Sequence, residues 1–209
     1  MRTRIGQTIQ VYAKEHQSLY WFTIVLFTMG IIFGAVIVNS LPLSQREDLF
    51  GFLQFFFSSL GEKGIPEPSS HFQQSFGHYA KTVGIMWVLG LSIIGLPMIL
   101  LLLFLKGVVV GFTVGFLVTQ LQWKGVTFAM MGVLPQNLLV VPALIIVGVS
   151  GISFSLRLIK TRLLSKRDVI LPHFVGYSVL VISMLAVLTI AALFESFVSP
   201  KLMQMVLNR

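Results

Sequence analysis

One pair of residues in this sequence suits nucleophilic catalysis, Ser150 and His173. A serine hydroxyl attacks a carbonyl only when a base lies within hydrogen-bonding distance, and histidine is the usual base. Both residues lie toward the same ends of two consecutive apolar segments, so the pattern does not exclude contact. Gly148 and Gly151 surround Ser150, and small residues at this spacing are typical of helix packing in membranes. We interpret Ser150 as a packing residue.

The run from Gly148 to Gly151 reads GxSG and is similar to the serine motif of rhomboid intramembrane proteases. Only one apolar segment follows Ser150, where rhomboids have more, and the HxxxN donor pair is missing. We therefore expect no catalytic residue and no enzymatic activity.

The sequence gives little support for a metal site or for acid–base catalysis. His71 and His78 can share a helix face, but no carboxylate stands beside them at ligand spacing. Glu47 and Asp48 are adjacent, and adjacent residues do not face each other on a helix. The chain has no cysteine. We expect no metal site, no cofactor and no small-molecule substrate.

Composition identifies an integral membrane protein. The chain has 209 residues, of which 56% are hydrophobic and only 11% charged, against about 25% charged in soluble domains. Its mean hydropathy is +0.90. The net charge of +8 fits basic residues that flank membrane spans rather than a nucleic-acid surface. We predict one all-α domain, a polytopic membrane helix bundle.

Apolar periodicity and polar breaks predict five spans in this bundle. Gly107–Leu121 is short for a span, and the apolar piece 125–133 that follows is interpreted as a half-helix. Gly95 and Pro97 predict a kink in the second span, and Pro142 predicts one in the fourth. The predicted spans are 20–39, 83–105, 107–121, 134–156 and 174–198, joined by a polar outer segment at 40–82 and a basic cytoplasmic loop at 157–173.

Small and polar residues inside the spans indicate how the helices pack. Glycines four or three residues apart allow close backbone contact between helices. A compact polar group, which we term the polar mouth, opens the fourth span at Pro135, Gln136 and Asn137. The candidate packing glycines are Gly30, Gly34, Gly107, Gly111, Gly115, Gly148 and Gly151.

The segment 49–60, LFGFLQFFFSSL, is too short to span and carries one narrow polar stripe. Such a helix lies in the interface or packs on the bundle as a lid. The alternative is a partner-binding surface formed by Phe52, Phe55 and Phe56, because aromatic side chains dominate interface energetics.

Basic residues favour a cytoplasmic N-terminus and an outer C-terminus. With five spans, the inner segments hold nine of the fifteen basic residues, and the 41–82 segment faces outward. The nine are Arg2, Arg4, Lys14, Lys106, Arg157, Lys160, Arg162, Lys166 and Arg167.

A small multi-pass transporter or channel is the second reading, because broken helices at membrane depth are typical of transporters. With Lys106 placed between two spans and Glu195 at the interface, no ionisable residue is expected at depth. Such residues mark ion-coupled pathways. Their expected absence leaves an uncharged solute as the candidate cargo.

Two segments and the five-span layout resemble the stage II sporulation protein M family. These segments are LPQNLLVVPALIIVGVSGISFSLRL (134–158) and the Phe-rich 49–60. The broader family shows His-Gly and then Glu after the proline, whereas this chain has Gln136 and Asn137, which fits the sporulation branch.

The resemblance implies a function in forespore engulfment. A protein of this kind is a multi-pass cell-membrane protein of the mother cell, located at the septal and engulfing membrane. It is a non-enzymatic scaffold required for septum migration. It recruits the peptidoglycan-degrading stage II sporulation proteins P and D on the outer face.

Overall fold

The computed structural model describes residues 17–62, 68–163, 170–199 and 201, and this part of the chain is helical throughout apart from short turns. Three stretches are long and apolar enough to cross a membrane: Gln17–Ser40, Gly95–Thr161 and Leu171–Phe197. The prediction of an all-α membrane helix bundle is confirmed. The helices are α1 (Gln17–Ser40), α2 (Leu43–Glu62), α3 (Pro68–Gly90), α4 (Gly95–Phe128), α5 (Leu134–Leu163) and α6 (Ile170–Phe197), with a π-helical turn (Ala129–Val133) between α4 and α5.

The first reversal after α3 lies at residues 91–94, which differs from the predicted boundary at Lys106 between spans 83–105 and 107–121. The amide of Ser92 donates to Leu89 O at 2.9 Å, and that of Gly95 donates to Ser92 O at 3.1 Å. A Cβ on Gly95 would overlap the Leu89 carbonyl. Pro97 falls in the first turn of α4, where backbone N–H groups have no helical partner. Glycine and proline thus end one helix and begin another, rather than kinking a single helix.

The second reversal lies at Gln122, whose φ of 50° is the one positive value outside glycine in the described residues. The chain folds back so sharply that a Cβ on Gly125 would overlap Leu117. Residues 125–133 then run through the π-helical turn into α5. They belong to a continuous helical stretch and are not a separate half-helix.

Helices α1 and α4 run parallel in direct backbone contact. A Cβ on Gly30 would lie 2.5 Å from Phe104 O, and one on Gly34 would overlap Val108 O. Gly107 and Gly111 face the backbone of α1 in the same way. This seam of facing glycines lets two helices that are distant in sequence approach more closely than any side chain would permit.

The remaining long helices enclose an apolar core. Helix α6 packs on α3 and α5, and both α3 and α5 pack on α4. Gly148 faces Leu103, and Gly151 faces both Ile99 and the Tyr177 hydroxyl. The fully buried side chains at the centre are Met86, Ile99, Leu103, Val147, Ile152 and Leu188. Helix α5 continues through Pro142. Helix α2 forms no extensive packing contact with the other helices in the described part of the chain.

Candidate functional site

Four polar side chains from the helices α3, α4 and α6 meet inside the bundle. The Tyr79 hydroxyl of α3 donates to Glu195 Oε2 of α6 at 2.7 Å. On the adjacent side of α3, His78 Nε2 lies 2.7 Å from Lys106 Nζ of α4. An ammonium has only hydrogens to donate, so His78 Nε2 accepts this bond and its ring proton lies on Nδ1. We call these four residues the polar cluster.

The lysine of the polar cluster lies within a stretch that is long and apolar enough to cross a membrane. Lys106 lies about 16 Å along the axis from the beginning of α4 at Gly95, whereas the apolar core of a bilayer is about 30 Å thick. The side chain of Lys106 is half-buried, and Tyr79 is buried. The prediction that Lys106 lies in a loop between two spans is therefore wrong.

The reason lies in where α4 begins. With a boundary at Lys106, the lysine falls in a loop and His78 falls in an outer segment. Once Gly95 begins the helix, Lys106 lies inside one long apolar span and His78 lies midway along α3. The signal in the sequence is that Lys106 is the single charged residue within 95–121, because intramembrane charges are rare and functional by default.

A cavity of about 330 Å³ lies beside the polar cluster. The cavity extends from one turn into α3 to the middle of that helix. Tyr79 and Glu195 line the cavity wall. Within the described residues, Glu195 is the only lining group with a formal charge when histidine is neutral. No three metal-ligating side chains come together in that part of the chain. The lining residues are His71, Gln74, Ser75, His78, Tyr79 and Glu195.

Ser150 and His173 do not form a nucleophile–base pair. Ser150 is only 2% exposed, and within the described residues its Oγ has no hydrogen-bond partner. The His173 ring on α6 instead contacts the Arg157 guanidinium on α5. A hydroxyl without a base has no route to become a nucleophile.

The polar mouth serves the backbone of its own helix. Pro135, Gln136 and Asn137 are half-buried, and the Asn137 amide donates to Val133 O at 2.8 Å. Val133 ends the π-helical turn, and the following proline cannot donate a backbone hydrogen bond. The carbonyl that loses its donor through Pro135 lies before Val133, so Asn137 adds a second donor to Val133 O in the i to i−4 pattern of polar side chains in helices.

The proposed aromatic surface lies on α2. Phe52 is 73% exposed and Phe55 is 69% exposed, while the side chain of Phe56 lies outside the described residues. Arg46 Nη2 donates to Asn39 O at 2.6 Å, which ties the first turn of α2 to the end of α1. Two large aromatic side chains are therefore exposed at the end of the bundle where α1 ends.

A protein-family model matches most of this chain. The family model described as Stage II sporulation protein M matches residues 23–200, which cover all six helices except the first turns of α1. The chain belongs to the Stage II sporulation protein M family. It is therefore a membrane protein of a sporulation family, and this family is not known as an enzyme family. No curated protein matches the chain, and no solved structure matches it.

Proposed function

We propose that this family member is a non-enzymatic membrane scaffold. It recruits and anchors peptidoglycan-degrading enzymes, stage II sporulation proteins P and D, at the septal and engulfing membrane of the mother cell. Septum migration and forespore engulfment depend on that anchoring. The observation that carries the proposal is the exposed aromatic surface of α2, on a helix with no extensive packing contact in the described residues, in a chain of a sporulation family.

The orientation that the proposal needs has the N-terminus in the cytoplasm and α2 outside. In this arrangement α1, α3, α4, α5 and α6 cross the membrane, and the turn 91–94 lies inside. Lys81 and Lys106 lie within helices, so they no longer count as loop charges. The basic residues at 157–167 still favour this side as the cytoplasmic one.

The environment of Ser150 supports the absence of enzymatic activity in this proposal. Its hydroxyl is buried and has no hydrogen-bond partner in the described residues, and the polar cluster is hydrogen-bonded in two pairs. An arrangement of this kind holds helices in register but presents no activated nucleophile.

The experiment replaces the exposed aromatic side chains. Phe52, Phe55 and Phe56 are changed together to Ser, and the partner hydrolase is followed by fluorescence localisation in sporulating cells. We expect the hydrolase to delocalise while the scaffold stays in the membrane fraction, because aromatic hot spots contribute about 2 kcal/mol or more each. Gln54→Ser is the matched control, since Gln54 is also exposed on α2. Normal hydrolase localisation with the triple variant would contradict the proposal and leave α2 as a lid.

A second candidate function, a small transporter or channel for an uncharged solute, is favoured by the cavity beside the polar cluster. Against it, the core between α3, α4 and α5 is packed with fully buried apolar side chains, among them Met86, Ile99 and Val147. Solute uptake by proteoliposomes that contain the purified chain distinguishes the two, because a scaffold gives no flux above that of empty vesicles.

A further inference from the structure

We propose that the cavity between α3 and α6 is a binding site for a protonated primary amine. This site is separate from the aromatic surface of α2 and does not depend on the scaffold function. Three properties of its wall carry the inference: its charge, its unused hydrogen-bond acceptors and its size.

The charge of the wall is negative. Among the described lining residues, Glu195 alone is formally charged. The ammonium of Lys106 does not line the cavity, and it donates a hydrogen bond to His78 Nε2 at 2.7 Å. A carboxylate next to low-dielectric helices raises the local concentration of cations.

The wall also offers acceptors without partners. Glu195 uses Oε2 for the Tyr79 hydroxyl, which leaves Oε1 for a ligand. His71 Nδ1 is buried and has no hydrogen-bond partner within the described residues. The hydroxyl of Ser75 and the amide oxygen of Gln74 also line the cavity and can accept hydrogen bonds. An ammonium group has three N–H donors and no acceptor, so it matches such a wall.

The volume of the cavity and the chemistry of its lining residues limit the class of ligand further. A volume of about 330 Å³ lies at the lower end of ligand pockets, so the site suits a small amine or the end of a lysine side chain. A metal ion is disfavoured, since the described residues bring no three ligating side chains together.

The test exploits the absence of cysteine from the chain. Gln74→Cys places one thiol on the cavity wall. The purified variant in nanodiscs is treated with a cationic reagent, methanethiosulfonate ethylammonium, or with the anionic methanethiosulfonate ethylsulfonate. We expect the cationic reagent to react faster by roughly tenfold, beyond the intrinsic rate ratio measured on free cysteine, because one nearby carboxylate attracts one reagent and repels the other. Adding Glu195→Gln should bring the corrected ratio close to one.

A second cysteine and a protection experiment complete the test. Ile32→Cys on α1 is the control, because Ile32 is 59% exposed and lies away from the cavity, so lipid should leave it unreactive to both reagents. On the Gln74→Cys chain alone, methylammonium chloride should slow labelling several-fold while sodium chloride at equal concentration does not.

The two amine sources are separated by the same measurement. Protection by methylammonium indicates a free small amine. Protection only by Nα-acetyl-lysine methylamide, whose single amine is the side chain, indicates a lysine from a partner. Equal corrected rates for the two reagents, or labelling that neither amine slows, would overturn the proposal. If Glu195→Gln does not stay monodisperse, the protection experiment still decides, since it needs no change at Glu195.

Discussion

Two buried serines on α5 differ in a single respect, the presence of a hydrogen-bond partner. Ser155 is fully buried and its Oγ donates to Ser92 O at 2.8 Å, whereas Ser150 Oγ has no partner in the described residues. An unsatisfied buried hydroxyl costs free energy, and a satisfied one contributes about 1 kcal/mol. The same residue type therefore has opposite effects on stability at two positions five residues apart.

The first prediction follows from this contrast. Ser150→Ala should leave the free energy of unfolding unchanged or raise it, while Ser155→Ala should lower it by about 1 kcal/mol. Thermal unfolding in detergent measures both. Ser150→Ala should also support engulfment at normal protein levels, and so should His173→Ala. Loss of engulfment with Ser150→Ala at wild-type abundance would reopen the protease hypothesis.

The second prediction concerns the hydrogen bond between Tyr79 and Glu195. Tyr79→Phe removes the donor and keeps the ring, so it should destabilise the bundle by about 1.5 to 3 kcal/mol, as expected for a bond to a charged group. In a chain that already carries Glu195→Ala, the same change should cost much less. Equal costs in both backgrounds would mean that the two residues do not interact.

At the scale of helices, the sequence predicted what periodicity and glycine spacing encode. Helices α1, α5 and α6 agree with the predicted spans to within four residues at every end except the end of α5, which runs seven residues further. Boundaries between helices were less predictable, because they depend on backbone geometry. Helix α4 can begin so close to the end of α3 because Gly95 has no Cβ, which would overlap the Leu89 carbonyl. The reversal at Gln122 depends on a positive φ, and glutamine is not a residue type from which a positive φ is predicted.

The third prediction tests the glycine seam between α1 and α4. Gly111→Leu should separate the two helices and cost at least 1–3 kcal/mol, because its side chain would overlap the backbone of Ile31. Gly77→Leu on α3 is the matched control, since nothing lies within 4 Å of a Cβ there. Protein abundance and the melting temperature in detergent are the readouts. Wild-type stability for Gly111→Leu would contradict the parallel contact.

For the molecule as a whole, the polar cluster shows what a single sequence does not reveal. His78, Lys106 and Glu195 lie far apart in the chain, and their types alone suggest solvated positions. The fold brings them together because α3 and α6 run antiparallel and both pack against the same core. Once α4 is a single helix through Lys106, the lysine lies inside a long apolar stretch, where a polar partner such as His78 stabilises it.

The last prediction concerns topology and follows from the two reversals. Both are short, and each lies at an end of the bundle. Trp123 directly follows the reversal at Gln122 and is 85% exposed, while Leu91 lies in the turn after α3 and is 36% exposed. Because α4 joins these two turns and crosses the bundle between them, they must lie on opposite sides of the membrane. The basic residues at 157–167 favour the side of Leu91 as the cytoplasmic one.

Single cysteines test this arrangement in intact cells, since the chain has none of its own. Cysteines at Trp123, Pro66 and Lys201 should react with an impermeant thiol reagent, whereas cysteines at Leu91 and Lys166 should react only after permeabilisation. The predicted span 83–105 would instead bury position 91 in lipid and leave it unreactive in both conditions. Labelling at Leu91 in intact cells, with protection at Trp123, would invert the bundle. In that orientation α2 lies in the cytoplasm, where no cell-wall hydrolase can reach its exposed phenylalanines, and the scaffold proposal fails with the topology.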